Sequence, residues 1–194
     1  MLQQLNPLQP ILSFGDSLTF GYPASPHQSY PAQLSKLINR DVINAGVNGE
    51  LSGTGRLRLE RLLDRYEPQL LLLCHGANDM LQQRSLDEMV DNLRAMIALA
   101  QARDIQVVLL AIPNTLQLLA PIKQYQYVAS EMAIHIDTTI FTTILKQPSL
   151  LSDAIHPNAL GYQKLAQAIA QLLTNRVQFK ASDYTLALVP VLYY

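Results

Sequence analysis

Short apolar runs and longer amphipathic stretches alternate along most of this chain. Five runs have the length of a buried strand, at 10–14, 42–45, 69–74, 106–112 and 133–136. Stretches with helical spacing lie between and after them, at 30–38, 55–65, 86–102, 122–132 and 158–173. In the third of these, Leu86, Met89, Val90, Leu93, Met96, Ile97 and Ala100 recur three and four apart and form one apolar stripe, with Asp87, Glu88, Asp91 and Arg94 off it. Ser85 stands where it can cap the first turn, and the early acids suit the positive end of the helix dipole. Strand–helix alternation predicts right-handed crossovers and a parallel sheet covered on both faces, an open three-layer α/β sandwich.

Composition narrows the classes of function. At 194 residues the chain fits one domain that can bury a full core without disulfide or metal staples. Hydrophobic residues make up 49% and charged residues 15%, and no long apolar run free of polar residues suggests an integral membrane segment. With 14 basic and 15 acidic residues and no basic stripe, a nucleic-acid partner is not expected. The single cysteine, Cys74, lies inside LLLLCHG and reads as a small core residue. The start MLQQLNPLQP lacks a basic n-region and an apolar h-region, so the expected address is cytoplasmic, or periplasmic or secreted if a signal peptide has been removed.

In such a sheet, ligands bind beyond the carboxyl ends of the strands. Here those ends read FGDS, NAGVNG, HGAND and AIPN. Gly15 allows a sharp turn that exposes Ser17, whose backbone N–H would also be free at a helix start. A lone serine there is more often a plain N-cap. In SDAIHPNALGY, Asp153 and His156 are three apart, which on a helical turn brings their side chains together. Asp153 could then hold Nδ1–H of His156 and leave Nε2 to take a proton from a serine; the competing reading is a simple turn before a helix. Gly49 could offer an unobstructed backbone N–H and Asn78 an amide donor to an oxyanion, although a loop glycine and a turn asparagine explain each alone. Asp16 and Asp79 invite a metal reading, but His75, His135 and His156 form no ligand pattern around them, so neither metal nor cofactor is expected. His27 reads as solvated, His135 as a satisfied core or edge residue, and Tyr125 and Tyr127 as packing or surface residues.

Taken in order, FGDSLTFG, NAGVNGELSGTG, HGAND and DAIHPN resemble the four sequence blocks of the SGNH hydrolases, the GDSL esterases and lipases. The resemblance runs from about residue 11 to residue 173 and implies a three-layer α/β/α sandwich with a five-stranded parallel, flavodoxin-like sheet, its domain spanning 1–176. It also implies a carboxylic ester hydrolase that needs no cofactor. Carried over residue by residue, it makes Ser17 the nucleophile, Asp153 and His156 the rest of a triad, and Gly49 and Asn78 partners of the Ser17 N–H in an oxyanion hole, while Asp16 and Asp79 brace loops. Glu50 after Gly49, and the segment GTGRLRLERLL, are most similar to the bacterial thioesterase, arylesterase and lysophospholipase branch. His75 before Gly76 departs from the pattern and is expected to touch only strand packing.

Substrate contacts are expected from Asp16, Leu18, Pro113, Asn114, Leu116, Leu118 and Ile155. In IPNTLQLLAPI, Leu116, Leu118, Leu119 and Ile122 supply either an apolar acyl wall or core beneath the loop. With no basic cluster for phosphate and no apolar insertion as a lid, the expected substrate is a small-molecule ester, thioester or lysophospholipid with a short to medium acyl chain. Two rivals stand beside it: a carbohydrate acetylesterase, for which Asn114, Thr115 and Gln117 leave room, and a non-catalytic module that binds acyl ligands. The apolar tail 177–194, VQFKASDYTLALVPVLYY, reads as an added strand, a contact with a second copy in a homo-oligomer, or a lipid contact. Activity should fall on the acid side as His156 takes up a proton.

Overall fold

A computed structural model describes residues 5, 6, 8–114, 119 and 122–176. The tail 177–194 and the wall residues Leu116 and Leu118 lie outside the described residues. Five parallel strands form one sheet in the order β2-β1-β3-β4-β5, with β1 at Ile11–Gly15, β2 at Val42–Gly46, β3 at Leu70–Cys74, β4 at Gln106–Leu110 and β5 at His135–Asp137. This is the flavodoxin-like order. The wholly buried strands β1 and β3, ILSFG and LLLLC, sit side by side at the centre, where both faces are covered and alternation of polar residues would be penalised. The half-buried β2 and β5 occupy the edges.

Eight α-helices cover this sheet among the described residues: α1 (Ser17–Phe20), α2 (Tyr30–Ile38), α3 (Ser52–Tyr66), α4 (Ala77–Leu81), α5 (Leu86–Gln101), α6 (Lys123–Glu131), α7 (Ile140–Leu145) and α8 (Ala159–Arg176). Helix α2 packs on α8, which also meets α7, and α3 packs on α5, which meets α6. Right-handed crossovers put these two groups on opposite faces. The stripe expected on α5 is buried from Met89 to Ala100, and the Ser85 hydroxyl accepts the Glu88 N–H at 3.3 Å, capping the helix.

Three differences from the periodicity have local causes. Helices α1, α4 and α7 have four to six residues, too short to show a 3.6-residue repeat. Helix α3 starts at Ser52, ahead of the expected residue 55, because Gly53 and Gly55 hide its first turn from propensity. Strand β4 ends at Leu110 instead of reaching Ile112; Ala111 makes one further bond to the Asp137 carbonyl, and Pro113 has no N–H to extend the ladder.

Strand order reverses around β1: the chain moves to one side for β2 and to the other for β3. The crevice at the carboxyl ends of β1 and β3 therefore lies at a topological switch point, where ligands bind in sheets of this kind. FGDS and HGAND flank that crevice.

Candidate active site

Gly15 is required where β1 meets β3, because a Cβ there would lie 1.9 Å from the Cys74 carbonyl oxygen. The chain then turns into α1 with Asp16, not Ser17, as its N-cap: Asp16 Oδ1 accepts the Leu18 N–H at 3.0 Å. Asp16 is completely buried, and burial raises its carboxyl above its ordinary value. It braces the turn, and with no exposed surface its side chain does not line the cleft beside Ser17, where substrate contacts are expected. Ser17, the first residue of α1, has no helical carbonyl placed to receive its N–H.

Ser17 Oγ lies 3.0 Å from His156 Nε2, although 139 residues separate them in sequence. His156 Nδ1 lies 2.8 Å from Asp153 Oδ2. The expected helical turn is absent: residues 152–155 form a bend, tied by the Ser152 N–H to the His156 carbonyl at 2.8 Å and by an isolated bridge between Leu151 and Pro157. The three-residue spacing works because Asp153 Oδ1 accepts the N–H groups of Ile155 and His156, at 2.9 and 2.8 Å, folding the bend around its own carboxylate. Burial alone would raise the Asp153 carboxyl, but these bonds and the His156 contact hold it below the ordinary value. An ionised carboxylate only accepts, so Nδ1 carries the imidazole proton and Nε2 is left to accept from the Ser17 hydroxyl.

Gly49 has φ +73° and occupies the third place of a turn closed by the Glu50 N–H on the Val47 carbonyl. No atom lies within 4 Å of where its Cβ would be, so a ligand can approach its backbone. Asn78, on α4, donates one amide hydrogen to the Glu50 carbonyl at 3.1 Å and keeps a second. Ser17, Asn78 and His156 edge a small cleft walled by Leu18, Ala77, Met80, Leu81, Ile112, Pro113, Leu145 and Ile155. Of the expected substrate contacts, Leu18, Pro113 and Ile155 reach this cleft; Asn114 follows Pro113 and is half-buried. An anionic tetrahedral centre in the cleft would have donors on one side and a base on the other.

Sequence reasoning missed several neighbours. Met80 and Leu81 directly follow HGAND, so their place beyond the β3 carboxyl end was available from the pattern. Leu145 arrives on the unpredicted α7, for which no periodic signal exists. The Tyr22 ring packs edge-on against the His156 imidazole, with centroids 5.0 Å apart. His75 also does more than pack in a strand: its Nε2 lies 3.2 Å from Glu50 Oε2. Asp79 accepts both the N–H and the hydroxyl of Ser52, at 2.9 and 2.7 Å, and so fastens the start of α3 to α4. Neither Asp16 nor Asp79 belongs to a group of three or more potential metal ligands among the described residues.

Comparison with known proteins finds relatives of this chain. The GDSL-like lipase/acylhydrolase family matches residues 13–164. An arylesterase of Vibrio mimicus is 28% identical over 178 residues, covering 86% of this chain and 89% of that protein. The thioesterase 1/protease 1/lysophospholipase L1 of Escherichia coli K12 is 26% identical over 177 residues, covering 84% of this chain and 82% of the relative. Among solved structures, the psychrotrophic esterase EstA from Pseudoalteromonas sp. superposes with a TM-score of 0.79 at 22% identity, over 88% of this chain and all of that one, which shows a shared fold.

Proposed function

The chain belongs to the GDSL-like lipase/acylhydrolase family, and from that premise we propose that it is a serine esterase whose nucleophile is Ser17. The observation that carries this reading is the continuous contact from Ser17 Oγ to His156 Nε2 to Asp153, 3.0 and 2.8 Å long, at the edge of an apolar cleft. His156 takes the Ser17 proton as Oγ attacks the ester carbonyl carbon. The negative oxygen of the tetrahedral intermediate receives hydrogen bonds from the backbone N–H groups of Ser17 and Gly49 and from the Asn78 amide. Breakage of the bond to the leaving oxygen, with the proton passing from His156 to that oxygen, leaves an acyl-Ser17 ester. Water, deprotonated by the same imidazole, then releases the acid and restores the serine.

The cleft is lined mainly by apolar side chains, among them Leu81, Leu145 and Ile155, which supports a substrate whose acyl group is the part held there. The names of the Vibrio and Escherichia relatives make aryl esters and acyl thioesters the first substrates to try. Among the described residues no helix is long and apolar enough to cross a membrane. The test is hydrolysis of p-nitrophenyl acetate, butyrate, octanoate and palmitate by the protein and by Ser17→Ala. Wild-type turnover with a loss of roughly 10³- to 10⁶-fold in the variant is expected. Equal rates would rule out Ser17 as the nucleophile.

A further inference from the structure

The carboxyl ends of β1, β2 and β3 are joined behind the donor side of the cleft by one ionic cluster. Arg58, from α3, holds Glu50 with Nε on Oε1 and Nη2 on Oε2, both at 2.6 Å. The same Nη2 donates to the carbonyls of Ala45 at 2.8 Å and Gly15 at 3.3 Å, and the guanidinium lies 4.1 Å over the Phe14 ring. His75 completes the cluster. It is wholly buried, its Nδ1 accepts the Gly76 N–H at 3.2 Å, and its backbone carbonyl accepts the Tyr125 hydroxyl at 2.8 Å. An accepting Nδ1 leaves the imidazole proton on Nε2, so Nε2–H donates to Glu50 Oε2.

Gly55 makes room for this contact. A Cβ at that point of α3 would lie 2.4 Å from His75 Nε2 and 3.1 Å from Glu50 Oε2, so a residue that helix propensity disfavours sits where the imidazole needs clearance. Glu50 in turn directly follows Gly49, and its backbone carbonyl receives the Asn78 amide. Its side chain is thus held by His75 and Arg58, while its backbone follows Gly49 directly and accepts from Asn78, the two residues to which the proposed mechanism gives the donor role.

We propose that His75 is a positioning residue for ester hydrolysis, holding Glu50 and through it the Gly49 and Asn78 donors in register with Ser17; this rests on the serine-esterase reading above. The imidazole acts as a neutral donor and touches no substrate. Donors to a developing oxyanion act only within a few tenths of an ångström of the right place, so a slack brace lowers the rate of the chemical step while leaving ground-state binding in place.

The experiment compares the full chain with His75→Leu, His75→Gln and Ser17→Ala, using p-nitrophenyl butyrate kinetics and inhibition by phenylboronic acid, which forms a tetrahedral adduct on an active serine. His75→Leu is expected to lose roughly ten- to hundredfold in kcat with KM within about twofold, and to bind the boronic acid more weakly by a similar factor. His75→Gln, whose amide N–H reaches where Nε2–H stood, should regain most of both. A His75→Leu variant that keeps its kcat, loses only in KM, or is matched in slowness by His75→Gln overturns the proposal. Should His75→Leu not fold by circular dichroism, Gly55→Ala, which crowds Nε2 away from Glu50, must show the same fall in kcat, and an unchanged kcat overturns the proposal equally. Ser17→Ala separates the two levels: if it is inactive while His75→Leu is not slowed, only the His75 inference fails, whereas an active Ser17→Ala removes the serine mechanism and the inference with it.

Discussion

Asp153 holds His156 from a bend in which its own side chain is 46% exposed, whereas Glu50, behind Gly49 and Asn78, is 3% exposed and bound by an arginine and a histidine. In the proposed mechanism the first region passes a proton back and forth, and the exposure of Asp153 lets solvent moderate each change of charge. In the same mechanism the second presents donors that do not relax when negative charge appears, and burial with both Glu50 oxygens engaged suits that stiffness. Burying a carboxylate carries a desolvation cost, which explains why both oxygens of Glu50 are engaged and why Asp79, at 5% exposure, takes two bonds from Ser52. One site therefore combines a wet proton relay with a dry scaffold.

The comparison breaks most sharply at the relay. His156→Ala should lower kcat for p-nitrophenyl butyrate by roughly 10³- to 10⁶-fold, and Asp153→Asn by roughly 10²- to 10⁴-fold, because an amide can impose the wrong tautomer on the imidazole. A loss below tenfold for His156→Ala would mean that a different base acts. On the dry side, Asn78→Ala should cost roughly 10²- to 10³-fold in kcat with little change in KM; a rise in KM alone would make Asn78 a ground-state contact.

Smaller effects report on the scaffold without touching the relay. Ser52→Ala removes one of the two bonds to the buried Asp79 carboxylate and should lower stability by about 1.5–3 kcal/mol, read from urea denaturation. A change below a few tenths would show that the Ser52 hydroxyl is dispensable to the brace. The Glu50 carboxyl provides the pH test. Burial alone would raise it, but hydrogen bonds from His75 and Arg58 hold it below its ordinary value of 4.5. Its folded form thus binds protons less readily than the unfolded chain, so its contribution to stability is complete above 4.5 and is lost as pH falls through the lower folded value. Melting curves between pH 3 and 6 should accordingly be flatter in Glu50→Gln than in the wild type. Parallel curves would show that Glu50 is not a linked group.

Much of this molecule is legible along the chain because its signals are local. Five apolar runs of strand length, separated by amphipathic stretches such as the one carrying Met89, Leu93 and Ile97, determine a parallel α/β sandwich, since a run buried on both faces must be apolar throughout. Ser17, Gly49 and Asn78 were legible as candidates because glycine and small polar residues gather at strand ends, and Asp153 and His156 because they stand three residues apart. Only the tertiary structure decided which of them meet. The contact between Ser17 and His156 spans 139 residues and depends on the packing of α8 beside α2, which no window of sequence contains. It also decided the roles of the charges. Asp16 and Asp153 each look like a free carboxylate in the chain, yet one is sealed beneath α1 and the other faces water beside an imidazole. His75, just past β3, and Gly55, on α3, acquire their meaning from each other, because a Cβ on Gly55 would lie 2.4 Å from His75 Nε2. Periodicity records which face of an element is buried; what that face touches is set by the neighbours that the fold brings to it.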